Sequence, residues 1–274
     1  MRRTVGGVVA VAFCLATMAP RVSAEAPRQE ASARFYAAWG LDPSDPQSLT
    51  DFGTLMANSG QVEEGRLYYE RALEQDLGFR EAAYGIAVLD LDDGKVIEAV
   101  VALNRLSRGD DEVAARAHHR LARQSAKDGF PEDALRHFVS AHEIFPENLE
   151  LGLDLGTALI RRERYPEAAS LSARLLEDHP QAAMAFFLQG QALKGTGEAA
   201  ASRQSFEEAV KLDARQPWSL FELAALAEQE GDLDGARSLY RKALSASSAR
   251  GEAALGRSAR KALAKLPAGS GSGE

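Results

Sequence analysis

Residues 217–244 read PWSLFELAALAEQEGDLDGARSLYRKAL. The expected structure is two helices joined by a turn at Gly231-Asp232. In the first, Leu220, Leu223 and Leu226 return at helical spacing, with small Ala224 beside Leu223. In the second, Ala236, Leu239, Tyr240, Ala243 and Leu244 do the same. Each helix has an apolar face that the pair alone leaves partly open, so each needs a further layer against it.

The stretch recurs. A step of 34 residues back from Gly231 lands on Gly197, and two more reach Gly129; with one inserted residue, Gly94 and Gly60 follow. The turn column is therefore Gly60, Gly94, Gly129, Glu163, Gly197, Gly231. A small column in the second helices reads Gly65, Ala99, Ala134, Ala168, Ser202, Ala236, and four residues later come Tyr69, Leu103, Phe138, Ser172, Phe206, Tyr240. The matching small column of the first helices is Gly53, Ala87, Ala122, Gly156, Gly190, Ala224. Small residues are needed where helix axes approach closely, and large ones fill the gaps between. This period and pattern resemble the tetratricopeptide repeat. The resemblance implies an all-α fold: a right-handed α-solenoid of antiparallel helix pairs, a superhelix with helical caps. Six repeats are expected, at 46–79, 80–113, 115–148, 149–182, 183–216 and 217–250. The pattern departs from the family where its first-helix Trp is replaced by Leu49, Ala83, His118, Gly152, Phe186 and Leu220, and where Glu163 replaces a turn glycine.

The ends differ from the repeats. Arg2 and Arg3 precede an apolar run from Val5 to Met18, Pro20 breaks it, and Val22-Ser23-Ala24 supplies a small-x-small cleavage pattern. Residues 1–24 are read as a cleavable signal peptide; the alternative is an uncleaved N-terminal membrane anchor. Cys14 is the single cysteine and lies inside that run, so the exported chain has no disulfide and no thiolate ligand. These features point to the bacterial periplasm. Residues 25–45 are read as an N-terminal segment with a half-repeat capping helix, because Ala31, Phe35, Ala38 and Pro43 fall on second-helix columns with Trp39 at a core place. The slip in register lies near Arg108-Gly109-Asp110-Asp111. Residues 251–266 read as a C-terminal capping helix on Leu255, Ala259, Ala262, Leu263 and Leu266, and 267–274 as a flexible tail.

The 274-residue chain carries a formal charge of −8, and losing residues 1–24 removes three arginines and no acid, leaving about −11. Such a balance argues against general nucleic-acid binding. Neither a phosphate-binding glycine loop nor a nucleophile elbow is present. His118 and His119 are adjacent, and His137 and His142 five apart, both poor spacings for a metal, so these are read as ordinary, partly exposed histidines. No cofactor, metal or catalytic residue is expected.

What remains is a surface for a partner. The resemblance implies that the first helices line a concave groove and bind extended peptides or partner helices. In the third repeat Arg116, Arg120, Arg123 and Lys127 lie at i, i+4, i+7 and i+11, on one helical face. The same places hold Glu150, Asp154 and Arg161 in the fourth repeat, and Glu81 and Asp92 in the second. The cations either pair with such carboxylates between repeats or bind an acidic or carboxylate group of a partner, for which arginine is the better fork. Further along, Met184, Leu188 and Trp218 occupy that column, with Phe187 and Phe221 beside it. The set expected to bind a protein or peptide partner is Arg116, Arg120, Arg123, Lys127, Met184, Leu188 and Trp218. The functional expectation is a non-catalytic periplasmic adaptor, touching the membrane only through an envelope complex. The alternatives are a structural module that assembles through its ends or convex face, and an accessory subunit of an envelope enzyme.

Overall fold

The computed structural model describes residues 42 and 44–267. The expected signal sequence, the half repeat on Ala31, Phe35, Ala38, Trp39 and Pro43, and the tail beyond Pro267 lie outside the described residues. Two compact units divide between Gln124 and Ser125. The first holds α1 (Pro46–Asn58), α2 (Val62–Gln75), α3 (Arg80–Asp92), α4 (Val96–Leu106) and most of α5 (Glu112–Lys127). The second holds α6 (Pro131–Ile144), α7 (Leu149–Arg161), α8 (Tyr165–Asp178), α9 (Ala183–Thr196), α10 (Ala199–Leu212), α11 (Pro217–Gln229), α12 (Leu233–Ala249) and α13 (Ala253–Lys265). The described residues contain no strand. Within each unit consecutive helices pack as antiparallel pairs, the arrangement of an α-solenoid.

One turn joins the first helix of each repeat to the second. Gly60 has φ 85°, its N–H donates to Ala57 O at 3.0 Å, and the next N–H, from Gln61, donates to Met56 O at 2.9 Å. Those two bonds satisfy carbonyls that the end of α1 would otherwise leave open. The same pair of bonds closes the turns at Gly94, Gly129, Glu163, Gly197 and Gly231, and again at Gly251, where α12 gives way to α13. All seven residues have positive φ, and Glu163, at 58°, is the one non-glycine among them. The left-handed conformation brings a Cβ against the following carbonyl, so Glu163 holds its turn at a steric cost that its neighbours' hydrogen bonds offset.

Between those turns the helix axes come close at the small columns. A Cβ on Gly53 would stand 3.0 Å from Gly65 O, and one on Gly65 2.9 Å from Gly53 O. In the second unit Ser202 Oγ donates to Gly190 O at 2.8 Å, so the small hydroxyl closes the approach with a hydrogen bond. Phe206 fills the space over Gly190, where a Cβ would fall 2.5 Å from its ring. The column four residues on, Tyr69, Leu103, Phe138, Ser172, Phe206 and Tyr240, is buried throughout and large at every place but Ser172.

The inserted residue is taken up by a short α4 and an early α5, which starts at Glu112 rather than at 115. Asp111 caps it by accepting the Ala114 N–H at 2.8 Å. Arg80, at the start of α3, grips both sides of this loop: its Nε and Nη2 donate to Asp111 at 2.8 and 3.0 Å, and Nη2 also donates to Leu106 O at 2.7 Å. Burial opposes ionisation of Asp111, but the hydrogen bonds from Arg80 and Ala114 outweigh it and hold the carboxyl below its usual range.

Replacing Glu163 with glycine relieves the strained turn and should raise stability by ~0.5–1 kcal/mol, whereas Gly231→Ala should lower it by ~1 kcal/mol or more. Urea unfolding of the two variants checks both signs; a destabilised Glu163→Gly would contradict the common-turn reading.

Candidate functional site

The first unit positions three of the expected cations. Helix α5 buries Val113, Ala117 and Leu121 against Leu103, Leu106, Ala87 and Tyr84. With that stripe inward, the i, i+4, i+7 series turns away from it: Arg116 and Arg123 are exposed and Arg120 half-buried. Tyr84, 8% exposed, orders two of them. The guanidinium carbon of Arg116 stands 4.3 Å from the centre of the Tyr84 ring, and Arg120 Nε donates to the Tyr84 hydroxyl at 3.4 Å. Arg116 therefore meets an aromatic face of its own unit, where the sequence offered Glu81 as an ion-pair partner. A ring quadrupole attracts a cation without neutralising it, which leaves the guanidinium's donors available. Tyr84 was not among the expected site residues. The available signal was its frame position: it stands where Phe187 and Phe221 stand in the fifth and sixth repeats.

The second unit holds the rest. Lys127 is exposed at the end of α5. Met184 on α9 and Trp218 on α11 are 43% and 39% exposed. Half-buried Phe187 links Trp218 to the core, with ring centres 6.5 Å from Trp218 and 5.9 Å from Phe206. Phe221 packs edge-on to Tyr240 at 5.3 Å and belongs to the core of the sixth pair. Leu188 is a correction. It is 3% exposed, and its side chain fills the space left by Gly156, so it joins α9 to α7 and has no surface to offer a partner. Periodicity assigned Leu188 to the column of Met184, but the missing Cβ at Gly156 admits the larger side chain to the interior.

Polar groups complete this face. Glu222 on α11 receives Gln191 Nε2 at 2.8 Å and Lys194 Nζ at 2.7 Å from α9, so its charge is matched within the unit. Gln216 is buried; its side-chain oxygen accepts the Ser219 N–H at the start of α11, and its Nε2 donates to Met184 Sδ at 3.4 Å. The histidines depart from expectation. His119 and His142 are buried. Burial, followed by the nearby Arg174, pushes His142 below its ordinary value, and burial likewise lowers His118.

A tetratricopeptide repeat family model matches residues 153–217 and 192–253. No curated protein matches the chain. Among solved structures it is similar to YrrB, described as a TPR protein with an unusual peptide-binding site, at TM-score 0.50 and 20% identity over 65% of this chain and 91% of that one. MamA 41-end from Desulfovibrio magneticus RS-1 aligns at TM-score 0.53 and 19% identity over 62% of this chain and 96% of that one. A chain of the APC/C hetero-tetramer Cut9-Hcn1 aligns at TM-score 0.57 and 16% identity over 79% and 43%. At such identities the likeness carries the fold alone.

Proposed function

The chain belongs to the tetratricopeptide repeat family, and we propose that it is a non-catalytic adaptor whose first helices hold a segment of a partner protein. The observation that carries this reading is the exposure of Met184 and Trp218 at 43% and 39% on α9 and α11, while Phe206 and Tyr240, which pack beneath this face, are buried. Trp and Met are enriched at protein interfaces, and Trp is prominent among the residues that anchor them. The peptide-binding site named for YrrB is consistent with a segment as the ligand. Arg116, Arg120, Arg123 and Lys127 supply a second determinant, suited to an acidic or carboxylate group, with Arg116 and Arg120 oriented by Tyr84. A structural assembly module is the second reading. It is favoured by Ile97 and Val101, which are 79% and 58% exposed one turn apart on α4. Concentration-dependent oligomers of the chain that Ile97→Glu abolishes would give that reading precedence.

We place the adaptor in the bacterial periplasm on the pattern of Arg2-Arg3, the apolar run from Val5 to Met18 and Val22-Ser23-Ala24. Protein recovered from an envelope fraction should begin at Glu25 by mass spectrometry; retention of Met1 in the membrane would favour the anchor instead.

Selection of peptides on the full mature chain tests the binding. Recovered sequences should include ones with a large apolar side chain and ones with acidic residues. Trp218→Ala should weaken the former by ~2 kcal/mol with little salt dependence. Arg120→Glu with Arg123→Glu should abolish binding of the acidic ones while circular dichroism is unchanged, and their wild-type affinity should fall as salt rises past ~0.15 M, where the Debye length is ~8 Å. Unchanged affinity in the folded double variant would retire the cationic determinant, and unchanged affinity in Trp218→Ala the apolar one.

A further inference from the structure

The chain has four methionines, at positions 1, 18, 56 and 184. The two in the described residues differ in surroundings. Met56 is 8% exposed and packed among Leu49, Phe52, Tyr68 and Tyr69. Met184 is 43% exposed, and its sulfur accepts a hydrogen bond from Gln216 Nε2 at 3.4 Å. Gln216 is 1% exposed and its amide is committed at both ends, since its oxygen caps α11 through the Ser219 N–H. A thioether is a weak acceptor, so this buried amide N–H is poorly satisfied as it stands.

We propose that Met184 is a reversible oxidation site, and that its sulfoxide turns the apolar face formed with Phe187 and Trp218 into a polar one. The oxidant is hydrogen peroxide. A sulfur lone pair of Met184 attacks one peroxide oxygen, the O–O bond breaks as the S–O bond forms, and a proton shift within the peroxide releases water. The sulfur loses two electrons and the peroxide gains them; methionine sulfoxide reductases return the thioether. The geometry favours this sulfur in two ways. Exposure admits the oxidant, as the packing around Met56 does not. The Gln216 N–H already points at the sulfur and can pass to the new oxygen, a much stronger acceptor, without giving up the cap on α11. The product is accommodated with the helix pair intact, so oxidation changes the chemistry of the face and leaves the fold unaltered. Formation of the sulfoxide is independent of the docking role proposed above; its effect on partners rests on that reading.

The test treats the full mature chain with hydrogen peroxide and follows both methionines by peptide mass spectrometry. Met184 should oxidise roughly fivefold or more faster than Met56. Nile red, an uncharged apolar dye, reports the face: its emission on the protein should fall roughly twofold on oxidation. Met184→Gln, which places a polar amide where the sulfoxide would be, should show the low emission without peroxide. Met184→Leu should keep the high emission with or without peroxide, and circular dichroism should be the same in all samples. Equal oxidation rates at the two methionines, or the same loss of emission in Met184→Leu, would overturn the proposal. Failure of Nile red to bind the unoxidised protein would overturn the apolar docking reading and the switch with it, while the sulfoxide assignment stands or falls on the mass spectrum.

Discussion

Everything else in the structure depends on how closely the two helices of a pair approach each other. Gly53 and Gly65 bring backbone to within contact distance, and Gly190 and Ser202 do the same with one added hydrogen bond. Once the axes are that near, the aromatic or leucine four residues on has nowhere to go but over the small residue, as Phe206 lies over Gly190. Contacts of this kind are local, so stability accumulates from each pair and its neighbours, as in other repeat proteins. The turn arises from the same constraint. A short connection between close antiparallel helices requires an abrupt end to the first, and a left-handed residue with two returning N–H bonds provides it.

Much of this was legible because the small and large residues recur in columns, and a column needs only a fixed step to be found. Even Glu163 kept its place, since the neighbouring bonds hold the turn when the residue type does not. What escaped was decided between columns rather than within them. Leu188 entered the core because Gly156, on another helix, lacks a side chain. Tyr84 became the support of two arginines because α5 lays Arg116 and Arg120 over it. The third pair begins three residues early because Arg80 binds Asp111 and Leu106 across the inserted loop. His119 and His142 are buried where spacing read them as partly exposed, because helix period does not report what packs above a residue.

A further regularity lies in the charges. Arg66 reaches Asp93 at 2.9 Å and Arg203 reaches Glu230 at 2.5 Å, and the four residues occupy equivalent places in their repeats. Arg237, in the same column, donates to Pro267 O beyond the last helix. Each ties the second helix of one pair to the C-terminal end of the next helix in the chain. Exposed pairs of this kind contribute ~0–1 kcal/mol each, so they tune the stack that packing builds. The first-helix positions used by Arg116, Arg123, Met184 and Trp218 have no such duty. They are exposed because close approach is satisfied elsewhere on the same helices, and this freedom lets one architecture carry a cationic face on α5 and an apolar one on α9 and α11.

Ala224 and Ala225 offer the most direct measurement of the central constraint. They are neighbours on α11 with the same chemistry, but Ala224 is fully buried in the small column, and Ala225 is only partly buried, one residue round the helix. Leucine at each position, followed by urea unfolding, separates helix propensity from packing. Ala224→Leu should lower stability by ~1–3 kcal/mol through overpacking, and Ala225→Leu should change it by less than ~0.5 kcal/mol. Equal effects at the two positions would contradict close helix approach as the basis of the fold.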